Sequence, residues 1–154
     1  MRPHRTLAFA LALAGVFLGT LTSLAGKDGW LTNFDEALSK AKAEDKLVLL
    51  EFHGSDWCPP CIKLNKEVLT TDAFRKLAEA ELVLVDADFP RKKELPEAQK
   101  AHNEALAEKF GLQGVPTVLI LDSDGKVLDK LVGFPRGGLD GFLDFIKAQT
   151  SSGS

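Results

Sequence analysis

The sequence predicts an α/β domain: a four-stranded mixed sheet flanked by helices, with an additional helix at the N-terminal end. Three observations carry this. Two apolar runs, KLVLLEF (46–52) and LVLVDA (82–87), have strand length and few polar alternations, as strands covered on both faces do. Segments with apolar residues at helical spacing lie between the strand-like runs, so the strands they join are expected to be parallel. Near the C-terminus, an Asp-Gly turn joins two further runs into an antiparallel hairpin.

The elements follow in order. Asn33 or Thr32 caps a helix running to about Glu44, with Phe34, Ala37, Leu38 and Ala41 recurring on one face. The first strand, Lys46 to Phe52, ends in the turn His53-Gly54-Ser55-Asp56. A helix then starts after Cys58, carrying Ile62, Leu64, Val68 and Leu69; Pro59 and Pro60 suit its opening turn, where a missing N–H costs nothing. Thr71 or Asp72 opens another helical turn or two, to about Ala80. After the second strand, Asp88 to Pro96 is charged and proline-bearing, hence a loop. A helix to Phe110 follows, with Ala98, Ala101, Ala105 and Leu106 on one side and Gly111 as its C-cap. Thr117 to Leu121 and Lys126 to Val132 are strands joined by Asp122-Ser123-Asp124-Gly125. Leu139 to Ala148 is an amphipathic helix with Leu139, Phe142, Leu143 and Ile146 on one face, and Thr150 to Ser154 is a polar tail expected to be disordered.

At 154 residues the chain can bury one proper core but not two. A net charge of -3 with both signs interspersed leaves no basic patch for nucleic acid, so that class of partner is excluded. Residues 1–25 are read apart from the domain, which spans 26–149. Arg2, His4 and Arg5 form a basic head, Leu7 to Leu21 is apolar apart from Gly and Thr, and Ser23-Leu24-Ala25 supplies small residues for cleavage after Ala25. The protein is therefore expected to be exported, to the periplasm or beyond. The alternative is a retained N-terminal membrane anchor, since Leu7 to Ala25 could just span a bilayer.

Export makes an oxidised cysteine pair tenable. The chain has two cysteines, Cys58 and Cys61, too few for a disulfide scaffold and too close together to constrain the unfolded chain much. They sit where a strand gives way to a helix. Cys58 falls at or before the first helical turn, where unpaired N–H groups and the helix dipole favour the thiolate that attacks in disulfide exchange. Cys61, one turn on, is placed to attack the mixed disulfide. Cys58 is thus expected to be the exposed nucleophile, and Cys61 the more buried resolving thiol. A zinc half-site is the competing reading, but zinc needs two more ligands, and His4, His53 and His102 form no second pair. No metal or other cofactor is required, because the cysteine pair carries the electrons.

At this point the sequence resembles the thioredoxin family. The matching features are the strand leading into Trp57-Cys58-Pro59-Pro60-Cys61, the strand LVLVDAD after the active-site helix, and Gly114-Val115-Pro116-Thr117 before the third strand. The Asp-Gly hairpin, Gly133 and the final helix complete a match over Thr32 to Ala148. The resemblance implies a Cys58–Cys61 redox disulfide and a cis Val115-Pro116 bond beside it, with the Val115 backbone pairing with an extended substrate. It also implies that Glu51, in the strand before the motif, moves the proton of the second cysteine; a place on a polar rim is the alternative. Here the acid is Glu rather than Asp, and the turn after it is one residue longer. Trp57 is expected to shield the thiols and touch substrate, or else simply to pack. His53 reads as a turn residue, with tuning of Cys58 as the alternative, Asp56 as solvated rather than catalytic, and Arg91-Lys92-Lys93-Glu94 as a solvated loop or a partner-specific surface. The implied partners are protein thiols and disulfides and a redox partner protein, served by a monomer. A metallochaperone, or a binding module without redox turnover, remains the alternative.

Overall fold

The computed structural model describes residues 27–151. The N-terminal segment read as a signal and residues 152–154 of the tail lie outside the described residues. Among the described residues, no helix is long and apolar enough to cross a membrane.

The elements run α1 (Phe34–Glu44), β1 (Leu47–His53), α2 (Pro59–Leu64) continuing as a π-helical turn (Asn65–Leu69), α3 (Asp72–Glu81), β2 (Leu82–Asp88), α4 (Glu97–Lys109), β3 (Thr117–Leu121), β4 (Val127–Val132) and α5 (Gly138–Thr150). The sheet order is β2-β1-β3-β4, with β1 parallel to β2 and both β1/β3 and β3/β4 antiparallel. The sheet is mixed, as the sequence predicts, but one direction differs. Strand β3, expected to be parallel because a helix precedes it, runs antiparallel to β1, since the chain re-enters the sheet where β1 ends, Thr117 facing Phe52. The helix ends follow side-chain chemistry: Asn33 accepts from the Glu36 N–H and Thr71 from the Phe74 N–H, satisfying donors the first turn leaves orphaned. Gly111 follows α4 at φ +59°, in the left-handed region, as a C-cap does.

Strand periodicity sorts the side chains into two cores. Val48, Leu50 and Phe52 of β1 pack with Val83, Val85, Leu119 and Leu121 against α1 and Leu106 of α4. Leu49, Val118 and Ile120 pack on the other face with Leu64, Val68, Phe74, Phe142 and Ile146 of α2, α3 and α5. By the same alternation Glu51 and His53 fall on the Leu49 face, the one α2 covers.

Several boundaries move, and two have consequences. Strand β1 runs one residue further than the apolar run, because His53 stays in register opposite Asp88. His53 is therefore a buried strand residue rather than a turn residue. In α4 only Leu106 of the expected face is buried: Ala98, Ala101 and Ala105 are exposed, and Gln99 and Asn103 are buried in their place. Polar burial is stable here because the amides are used. Gln99 donates to the Thr32 carbonyl and to Asn103 Oδ1, and Asn103 donates to the Asp88 carbonyl. Helix α3 is a full ten residues rather than a turn or two, and α5 extends through Thr150, into the stretch expected to be tail. The π turn, in which the Thr70 N–H reaches back to the Asn65 carbonyl, has no sequence counterpart in the reading above.

Phe142 is fully buried, its ring tilted against those of Phe74 and Phe145. Phe142→Ala is expected to cost about 3–5 kcal/mol through lost contacts and the cavity left behind. Denaturant unfolding should show this as a lower midpoint at an unchanged slope.

Candidate active site

The C-terminal end of β1 delivers the reactive pair. The Cys58 N–H donates to the Gly54 carbonyl, closing the turn, and Cys58 is the N-cap of α2 with Pro59 and Pro60 in the first turn. Cys58 and Cys61 form a disulfide. The expected contrast in exposure is nearly absent in this oxidised form, in which Cys58 is 3% and Cys61 1% exposed. The reason is the ceiling over Cys58, whose Sγ lies 3.8 Å from the Val115 carbonyl oxygen. The Val115-Pro116 peptide is cis, as the resemblance implies, and the Pro116 carbonyl accepts from the Gly133 N–H. Strand β3 starts opposite the end of β1, Phe52 facing Thr117, so this proline is carried to the disulfide by sheet register.

Trp57 packs against the loop after β2. Its indole Nε1–H donates to the Phe89 carbonyl at 2.7 Å, and the Arg91 guanidinium lies 3.6 Å from the ring centre. Gly54 makes room for it: a Cβ there would come within 2.4 Å of the indole, so no larger residue fits without displacing the ring.

Two carboxylates clamp the turn and the loop after β2 to each other. Asp56, in the turn, accepts from the backbone N–H groups of Arg91, Lys92 and Lys93. It is a loop anchor rather than a solvated side chain. Those N–H groups, Arg91's foremost, hold its carboxyl below the usual range against the opposing effect of burial. Asp88, at the end of β2, reciprocates by accepting from the Ser55 N–H and hydroxyl. Burial alone would push the Asp88 carboxyl up, but Lys93, Ser55 and His53 outweigh it and the carboxyl sits low.

Beneath the disulfide lies a buried charged cluster. Glu51 is fully buried, which rules out the polar-rim position. Its Oε2 takes a short ion pair from Lys27 Nζ, which is also 3.7 Å from Asp86. Its Oε1 has no partner among the described residues. Asp86, opposite Glu51 in the β1/β2 register, pairs with His53 Nε2 at 2.5 Å. Glu51, His53 and Asp86 present one ligand atom each within 4.8 Å of one another, a grouping that counting cysteines and histidines along the sequence could not reveal. The cation that the structure places among them is the chain's own Lys27 ammonium. Lys27, His53, Asp86 and Cys61 line one open cleft of about 620 Å³, continuing past Lys93 and Gln99.

Sequence reasoning thus placed Cys58, Cys61, Trp57, Val115, Pro116 and Glu51, and the structure brings them to one end of the sheet. It missed Lys27, His53, Asp86 and Asp88. The available signal was period-2 alternation: Glu51 and His53 in β1, and Asp86 and Asp88 in β2, are polar residues sharing one face.

The comparisons with known proteins agree with this geometry. The sequence profile of the thioredoxin-like domain family matches residues 34–147. The chain is 34% identical over 116 residues to the disulfide bond reductase DsbH of Chlamydia pneumoniae, covering 75% of this chain and 69% of that protein. It is 30% identical over 129 residues to the thioredoxin-related protein DsbJ of the same organism, covering 81% of this chain but 37% of that protein. Among solved structures, a DsbH oxidoreductase superposes with a TM-score of 0.73 at 29% identity, covering 97% of this chain and 95% of that one. The oxidised C-terminal domain of DsbD from Neisseria meningitidis superposes with a TM-score of 0.54 at 25% identity, covering 75% of this chain and 90% of that one.

The clamp has a pH signature. A carboxyl held low in the folded state contributes stability that is present above its unfolded pKa and lost as pH falls through the folded one. For Asp56 that window lies below its ordinary value of 3.8. Protection of the Arg91, Lys92 and Lys93 amides, relative to the intrinsic exchange rate at each pH, should therefore persist on acidification to about pH 4 and be lost only below it. In Asp56→Ala, exchange at these three amides should already be fast at neutral pH.

Proposed function

The chain belongs to the thioredoxin-like family of thiol–disulfide oxidoreductases, and we propose from that premise that it reduces protein disulfides through Cys58 and Cys61 after export. The observation that carries this reading is the Cys58–Cys61 disulfide at a helix N-cap, under the Val115 carbonyl. Likeness to a protein named as a disulfide bond reductase supports the direction. The signal-like N-terminus supports the compartment, with Gly26 opening the mature domain, which acts as a single chain.

In the dithiol form the Cys58 thiolate attacks one sulfur of the substrate disulfide. A mixed disulfide forms, and the other substrate sulfur leaves as a thiolate that takes a proton from water. Cys61 then loses its proton, and its thiolate attacks Cys58 Sγ. That step releases the second substrate thiolate and leaves the Cys58–Cys61 disulfide, so two electrons have passed to substrate. The substrate segment lies along Val115 and against Trp57. Glu51 takes the Cys61 proton. Its support is full burial beneath α2 and an Oε1 with no partner among the described residues. Lys27, His53 and Asp86 connect that carboxylate to the cleft, where the proton leaves to water.

Insulin reduction with wild type, Cys58→Ser and Cys61→Ser tests the assignment. Cys58→Ser should be inactive. Cys61→Ser should accumulate a mixed disulfide, visible as a mass increase equal to the substrate; activity retained in Cys58→Ser would sink the nucleophile assignment. Glu51→Gln should slow resolution of the mixed disulfide by about 10²-fold, the lower range for a positioned general base. A glutathione-titrated potential decides direction: a value near about -270 mV fits a reductase, and one near about -120 mV an oxidant.

A further inference from the structure

We propose that the surface around the disulfide is built to receive acidic protein segments, with Arg91 and Lys92 as the residues that select them. This rests on the exchange reading above and names the kind of substrate it serves.

The charge stacked on the residue before Cys58 is opposite in sign to that of the chain. The protein carries a net charge of -3, yet the loop folded against Trp57 presents Arg91 and Lys92, both exposed. Neither forms an ion pair with an acidic side chain among the described residues, whereas the next residue, Lys93, is paired with Asp88 at 2.8 Å. Of the acids nearby, Asp56 accepts from three backbone N–H groups of the loop and the Lys92 charge acts on it, while Glu94, Glu97 and Glu104 are exposed and share a cleft with Arg91. On the α2 side of the motif, Lys63 lies 4.2 Å from the Phe134 ring centre, with only a 4.0 Å contact to Glu67. Each cation rests on a partly buried ring, Arg91 on Trp57 and Lys63 on Phe134, and Ile62 beside Cys61 is 47% exposed.

Arg91 is also held in place rather than free. Its backbone is fixed by Asp56, and its guanidinium rests on the indole of the residue preceding Cys58. Stacking on a ring leaves the in-plane N–H donors of a guanidinium free for a carboxylate. A substrate cysteine engaged at Cys58 would thus bring its flanking residues to a preorganised cation. Such an arrangement acts chiefly on encounter and choice of partner, and it weakens with salt.

The test uses three synthetic peptide disulfides, identical except that Glu, Gln or Lys flanks the cysteine. Each is reduced by the dithiol form of the mature protein at low and high salt, and each rate is divided by the rate of dithiothreitol with the same peptide to remove intrinsic reactivity. We expect the order Glu, Gln, Lys, with a Glu-to-Lys ratio of about tenfold at low salt that collapses at high salt. In the double variant Arg91→Glu, Lys92→Glu the ratio should invert. Using the ratio makes the result independent of any general loss of activity in the variant. Equal normalised rates for Glu and Lys peptides, a preference for Lys, or a ratio unchanged in the double variant would overturn this inference while leaving the exchange reading intact. Failure to reduce any of the three peptides would overturn both.

Discussion

The site depends on the way β1 is paired. A central strand with one parallel and one antiparallel neighbour fixes which chain ends meet at its C-terminus. Parallel pairing puts the end of β2, and the loop after it, beside the Trp57-Cys58 turn; Phe89 N–H donates to the His53 carbonyl there. Antiparallel pairing puts the start of β3, and hence Val115-Pro116, on the other side. The β3/β4 ladder then carries Gly133 and Phe134 to the same rim, since Val132 faces Thr117. Four segments far apart in sequence converge because of two ladder orientations. The side chains at the site refine a meeting that the backbone hydrogen bonds have already arranged.

The same pairing explains the buried charge. Parallel register places Glu51 opposite Asp86 and His53 opposite Asp88, so four polar side chains gather on one face of the sheet. Desolvating several ionisable groups is costly unless each finds a partner; His53 and Asp86 pair within the sheet, and further partners come from outside it. Lys27 arrives from the segment before α1, Lys93 from the loop, and Ser55 from the turn. The cluster therefore ties the lead-in, the turn and the loop to the sheet through charge. Asp56 and Asp88 are the clearest case, each reaching across to the other's segment, so that neither the turn nor the loop can move without breaking bonds of both.

Much of this was legible in the sequence, for identifiable reasons. The strand and helix order followed from apolar runs and periodicity, and the caps at Asn33, Thr71 and Gly111 followed from local chemistry. The cysteine pair, Trp57 and Val115-Pro116 were found because short motifs carry their mechanism within a few residues. What escaped depends on contacts distant in sequence. Asp56 looks solvated until the loop 35 residues later folds onto it. The alanine stripe of α4 looked like a buried face, but Gln99 and Asn103 displaced it by finding backbone and side-chain partners that one-dimensional hydrophobicity does not count. His53 was hidden by a boundary: one more ladder residue turns it from a turn histidine into a buried partner of Asp86.

These long-range ties separate two demands on one small surface. The chemistry needs Cys58 and Cys61 held at a helix start beneath a carbonyl ceiling, and the fold supplies this through β1, α2 and β3. In the proposal above, recognition falls to the loop between β2 and α4, which is tied to the strands through Phe89 and Lys93 but presents Arg91 and Lys92 outward. The structure joins the two at Trp57, whose indole N–H is bonded to the loop backbone and whose ring touches Arg91, one residue from the nucleophile. Changes in the loop's outward side chains can therefore alter what reaches Cys58 while the Asp56 and Phe89 backbone bonds keep the turn in place. The redox pair identifies the chain, and the charged loop fastened against Trp57 is what the proposal above adds to it.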